Sequence, residues 1–151
     1  MFSFDYEVKR VLEAAGWSET RRVSTDEWVL VLKEEGYTVF PLAIEVLENL
    51  GGLKVVPAID KPDDRRLFSP SPFHLDPVIA GLGEFDRISR WQGKFGLTLF
   101  PLGEVGWYFL MLASDGRVFA GADGNFEVVG DTIESAMATL ILAQNRPMVW
   151  L

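Results

Sequence analysis

The stretch 97-LTLFPLGEVGWYFLMLASDGRVFAGADGNFEVV-129 predicts a β-sheet, because it consists of short apolar runs separated by glycine-containing turns. Its first two runs, Leu97 to Leu102 and Trp107 to Ala113, are rich in residues that favour extended structure. The residues between them, Gly103 to Gly106, are typical of a turn. The sequence therefore predicts two adjacent strands joined by that turn.

The next connection is the clearest turn of the chain. Ser114-Asp115-Gly116 follows the second run, and Asp-Gly between apolar runs is a strong hairpin signal. It leads into a third strand over Arg117 to Ala120, and Phe126 to Val129 adds a fourth. Together the four runs predict a meandering antiparallel sheet.

One more strand is predicted before this stretch, over Leu53 to Ile59, where apolar and β-branched residues dominate. Pro57 lacks the backbone donor that an inner strand needs, so this strand is expected at an edge of the sheet. The residues from Asp60 to Pro77 are rich in turn formers and predict a loop, in which Arg66 to Phe68 is at most an edge strand.

Apolar residues recur at helical spacing on both sides of the predicted sheet. Helices are predicted over 4–15, 24–35, 41–50, 76–82, 84–91 and 133–141. The second is expected to begin with a capping box of Ser24 and Glu27, and the last with caps from Asp131 and Glu134. Because the last helix has one apolar face, we expect it to pack on the sheet.

Helices followed by antiparallel strands and a closing helix indicate an α+β fold. The chain has 151 residues, the common size of one domain, and neither a linker nor an internal repeat interrupts it. A single domain over residues 1–151 is therefore expected.

The charge balance favours a basic partner. Lys and Arg number 14 and Asp and Glu number 22, giving a formal charge of −8. Such an excess disfavours direct contact with nucleic acid or an anionic membrane and attracts basic proteins. The same excess also serves ordinary solubility, so both interpretations stay open.

The cellular setting follows from what the chain lacks. It has no cysteine, which excludes disulfides and thiolate chemistry and suits a reducing cytoplasm. Its apolar runs are too short to cross a bilayer as a helix. Charged residues interrupt the first turns, unlike the apolar core of a signal peptide. We therefore expect a cytoplasmic protein.

Catalytic motifs are not found. His74 is the only histidine, and no Gly-x-Ser-x-Gly elbow accompanies it. Asp60, Asp63 and Asp64 lack the spacing and the closing glutamate of a calcium loop, and the glycine-rich turns match no phosphate-binding loop. We expect no enzyme, no cofactor and no metal; a hydrolase with an unrecognised carboxylate pair is the remaining catalytic alternative.

A set of short motifs in fixed order resembles the SUKH superfamily, and is most similar to the third SUKH group of immunity proteins in bacterial polymorphic toxin systems. The motifs are Ala15-Gly16-Trp17, Arg21-Arg22-Val23, Gly36-Tyr37, Leu50-Gly51-Gly52-Leu53, His74-Leu75-Asp76-Pro77, Leu99 to Glu104, Ala113 to Phe119, Gly130-Asp131 and Ile133 to Ala136. They run from about Ala15 to Ile141. The resemblance implies a SUKH-like (Smi/Knr-type) α+β fold.

The resemblance also implies a function. Proteins of this kind bind other proteins, most often a cognate toxin that they neutralise, and their toxins are often basic nucleases or nucleic-acid deaminases. Regulatory or scaffold modules of the superfamily bind cellular partners instead, and this stays the alternative. The apolar end Val149-Trp150-Leu151 packs either on the domain or on a second copy, so a monomer and a weak homodimer are both open.

Eight residues in turn-rich segments are the candidate partner-binding site. Acids there are expected to steer a basic toxin, and an aromatic side chain beside a turn is suited to anchor it. The candidates are Asp60, Asp63, Asp64, Glu84, Asp86, Glu104, Trp107 and Asp123.

Overall fold

The computed structural model describes residues 2–57 and 70–142, and these form six helices and one sheet of six strands. The helices are α1 Tyr6–Ala14, α2 Asp26–Glu35, α3 Pro41–Leu50, α4 Pro77–Gly81, α5 Phe85–Phe95 and α6 Ile133–Leu142. The strands are β1 Lys54–Val55, β2 Phe73–His74, β3 Leu99–Val105, β4 Tyr108–Ala113, β5 Val118–Ala122 and β6 Asn125–Gly130. The α+β class is confirmed.

The sheet is a simple meander. Its strands lie in the order β1-β2-β3-β4-β5-β6, and every neighbouring pair is antiparallel. β1 is an edge strand, as Pro57 predicts, although it comprises only Lys54–Val55 among the described residues. The long β3, β4, β5 and β6 correspond to the four apolar runs that predict the meander.

Two predictions about loops are wrong. β3 continues through Glu104 to Val105, so the connection to β4 is only Gly106 and Trp107, and the register shift near Pro101 accommodates the longer strand. Phe73–His74, expected in a loop, is β2 and pairs with strands on both sides. Two residues are too few to show the alternating pattern of a strand, so β2 is a strand only because β1 and β3 pair with it. Arg66 to Phe68 lies outside the described residues.

The predicted helix bounds are correct to within two residues, except that α5 continues four residues past its predicted end at Trp91, to Phe95. α2 starts at Asp26, and the expected capping box is not formed; the Ser24 hydroxyl accepts only the Asp26 amide, at 3.4 Å. At α6 the caps are Thr132 and Ser135, each of whose hydroxyls accepts the other's amide at 3.1 Å. Local hydroxyls bond these amides in place of the predicted acids. No helix among the described residues is both long and apolar enough to span a membrane.

Helix α5 packs on the sheet through aromatic rings. Phe95 stacks on Phe126 with ring centres 4.6 Å apart, and Phe126 stacks on Phe119 at 4.9 Å. The Trp91 ring lies directly over Gly121, where a Cβ atom would be 2.8 Å from it. Interiors are packed as densely as organic crystals, so this contact fixes the distance between α5 and the sheet.

The Trp91 contact predicts opposite effects of two glycine substitutions. Gly121→Ala should lower the free energy of unfolding by about 1–3 kcal/mol, because the new methyl group collides with the indole. Gly93→Ala, on α5 with open space around its Cβ position, should raise it by up to about 1 kcal/mol, because alanine favours the helix. Urea denaturation measures the free energy of unfolding of both variants. If the two substitutions change it equally, the Trp91 ring does not pack on Gly121 as described.

Candidate protein-binding surface

Two tight turns lie side by side at one end of the sheet. Gly106–Trp107 joins β3 to β4, and Asp123–Gly124 joins β5 to β6. Phe109 pairs with Gly121, so the ends of these hairpins are adjacent, and the Tyr108 hydroxyl accepts a hydrogen bond from Asn125 Nδ2 at 3.3 Å. We call this region, residues 104–108 and 122–125, the turn edge.

Trp107 is the most exposed large apolar side chain of the described residues, at 92%. The other three tryptophans described are packed: Trp17 is buried and its Nε1 donates to Asn49 at 2.9 Å, while Trp28 and Trp91 lie against glycines of the fold. An exposed indole stabilises nothing within the chain, and tryptophan is enriched at protein-binding hot spots.

Arg87 connects α5 to the turn edge. Its guanidinium lies 3.4 Å from a carboxylate oxygen of Glu84 and 3.5 Å from one of Asp123, and it covers the Phe109 ring at 5.5 Å. The ring and the two carboxylates all attract the guanidinium group at this position. Through Arg87, an acid of the helix and an acid of the β5–β6 turn become neighbours.

The remaining described candidates lie around this cluster. Glu104 is opposite His74 on β2 and opposite Phe109 on β4, so its Cβ is on the sheet face that Arg87 covers. Asp86 is exposed in the first turn of α5, one residue before Arg87. The four acids outnumber the three basic residues of α5, Arg87, Arg90 and Lys94, so the charge of this region is slightly negative.

The structure joins two of the eight predicted site residues, Glu84 and Asp123, through Arg87. Glu104 lies on the same sheet face through its pairing with Phe109, Trp107 is in the turn next to that of Asp123, and Asp86 precedes Arg87 on α5. That these residues bind a partner stays a prediction. Asp60, Asp63 and Asp64 lie outside the described residues, so their place in the site stays a prediction. Sequence reasoning missed Arg87. Its spacing of three from Glu84 on a helix was a usable signal, whereas its contact with Asp123 depends on the fold.

A second feature adjoins the cluster where α4 meets α5. The Tyr37 hydroxyl donates to the Gly81 carbonyl at 2.8 Å, and the Phe85 ring meets the Tyr37 ring edge-on at 5.0 Å. Burial raises the pKa of Tyr37 above its ordinary value, and the nearby carboxylates of Glu35 and Glu84 raise it further. We call this region, residues 79–85, the α4–α5 corner.

A surface depression of about 270 Å³ lies elsewhere, between α1 and α6. Thr132 and Ser135 line it, but both hydroxyls are engaged in capping α6. Among the described residues no three histidine, aspartate or glutamate side chains converge on a metal position.

In the comparison with known families, the model of the SUKH-3 immunity protein family matches residues 4–143. That range includes every residue of the turn edge and of the α4–α5 corner. Neither the curated proteins nor the solved structures gave a match to the chain.

The Tyr37 hydroxyl predicts a pH-dependent loss of stability. Tyr37→Phe should lower the free energy of unfolding by about 0.5–1.5 kcal/mol at pH 7, because the Gly81 carbonyl loses its hydrogen-bond donor. The pKa of Tyr37 is higher in the folded chain than in the unfolded chain, where it is about 10. The stability difference between wild type and Tyr37→Phe should therefore be complete below pH 10, and it should decline as the pH rises above about 10. Urea denaturation at pH 7 and pH 10.5 tests this; a difference that does not shrink at pH 10.5 would contradict it.

Proposed function

The chain belongs to the SUKH-3 immunity protein family, and from this we propose that it neutralises a cognate bacterial toxin by covering the toxin's active surface with the turn edge. Membership of the family supports toxin neutralisation as the general role. The surface used and the kind of toxin are the specific parts of the proposal.

One observation supports the turn edge above other surfaces: Trp107 is 92% exposed, in a turn next to the turn that carries Asp123. Interface hot spots combine an aromatic side chain that enters a pocket with surrounding polar groups that exclude water. The two-residue turn and the Tyr108–Asn125 hydrogen bond hold Trp107 on a fixed backbone. A preorganised anchor loses little conformational entropy on binding.

The proposed partner is a basic toxin, such as a nuclease or a nucleic-acid deaminase. An enzyme that holds phosphates needs a positive surface around its active site. The formal charge of −8 attracts such a surface at long range, and the acids of the turn edge orient it at contact. Neutralisation then requires no catalysis, because the bound protein excludes the nucleic acid.

The test is to express the toxin domain encoded beside this gene, with and without the chain, and to titrate the purified pair at two salt concentrations. We expect restored growth, loss of toxin activity at a 1:1 ratio and weaker binding at the higher salt concentration. If the toxin domain does not bind, the proposal is wrong. Recovery of a different cellular protein would favour a regulatory module.

Trp107 provides the sharpest variant. Trp107→Ala should raise the Kd for the toxin by about 30-fold or more, the loss of a 2 kcal/mol hot spot, with stability changed by less than about 0.5 kcal/mol. Tyr6→Ala on α1 is the matched control, because Tyr6 is also an exposed aromatic, at 72%. If Trp107→Ala and Tyr6→Ala bind the toxin with the same Kd, Trp107 is not part of the interface.

A further inference from the structure

The α4–α5 corner exposes two aliphatic side chains that the turn edge does not include. Ile79 on α4 is 50% exposed and Leu82, which follows α4, is 52% exposed. They are three residues apart, and residues at this spacing project from neighbouring positions on a turn of helix. Single exposed aliphatics are common, so the pair matters only through its surroundings.

Carboxylates frame this pair. Glu35 Oε2 accepts a hydrogen bond from the Gly83 amide at 3.3 Å, directly after Leu82. Glu84 follows Gly83, and both carboxylates are close enough to Tyr37 to raise the pKa of its hydroxyl. The corner therefore presents an apolar centre with an acidic border.

The corner is also held firmly. Gly81 lies so close to α2 that a Cβ atom there would be 2.9 Å from Leu32 Cδ2. The hydrogen bond from Tyr37 to the Gly81 carbonyl and the Phe85 ring add two more contacts. A surface fixed in this way binds without first having to order its backbone.

Glu84 connects the corner to the turn edge. Its carboxylate lies 3.4 Å from Arg87, which in turn lies 3.5 Å from Asp123 beside the Trp107 turn. These two ion pairs therefore link Glu84, two residues after Leu82, to Asp123, which is in the turn next to that of Trp107. The corner and the turn edge are thus neighbouring parts of one surface.

We infer that the toxin-binding surface has two apolar contacts, Trp107 at the turn edge and the Ile79–Leu82 pair at the corner, and that one basic toxin covers both. This rests on the proposed function. Charge complementarity favours a basic protein as the partner. Its lysines or arginines would meet the carboxylates of the border, and an apolar side chain between them would contact the Ile79–Leu82 pair. A second copy of this chain would instead place Glu35 and Glu84 against like charges.

The test is the double variant Ile79→Ser/Leu82→Ser, titrated against the toxin domain used above. We expect the Kd to rise by about tenfold or more through faster dissociation, because apolar contacts form after the encounter. The association rate and its salt dependence should stay unchanged, because no charge is altered.

Leu30→Ser is the matched control. Leu30 is 61% exposed on α2 but lies two residues, or about 200° around the helix, from Leu32, which contacts α4. It therefore points away from the corner, and its substitution should leave the Kd unchanged. Urea denaturation of both variants checks that each is folded.

Each outcome separates the inference from the proposed function. If the double variant binds like Leu30→Ser while Trp107→Ala is weakened, the corner is excluded and the proposed function stands. If the wild-type chain does not bind the toxin domain, both fail. A wild-type dimer in sedimentation that the double variant abolishes would assign the corner to self-association and overturn the inference.

Discussion

The contact between the Trp91 ring and Gly121 determines where α5 lies, and the acidic surface depends on that position. A side chain at Gly121 would displace the indole, since a Cβ atom there would be 2.8 Å from it. With α5 held on the sheet, Arg87 reaches Phe109 and Asp123. The packing of one aromatic residue on one glycine thus places helix acids beside turn acids.

The fold was largely predictable because its signals are local. The four apolar runs from Leu97 to Val129 alternate with glycine turns, and each run became a strand. The failures have non-local causes. Phe73–His74 is a strand only because partners lie on both sides, and β3 extends past Gly103 because a register shift near Pro101 accommodates it.

The sequence predicted candidate residues but not their arrangement. Among the acids chosen in turns, Glu84 and Asp123 are joined through Arg87. Their proximity follows from strand register, which pairs Phe109 with Gly121, and from a helix placed by tertiary packing. For the same reason the aliphatic pair at the corner was missed: nothing in the sequence around Ile79 distinguishes an exposed isoleucine from a buried one.

The most direct measurement is hydrogen–deuterium exchange of the chain with and without the toxin domain encoded beside its gene. We expect slower exchange on binding in residues 104–108, 122–125 and 79–85, where the turn edge and the corner lie. Exchange at α1 and α6 should not change, because the proposed toxin-binding surface does not include these helices. Protection confined to α1 and α6, with the turn edge unaffected, would show that the toxin binds a different surface.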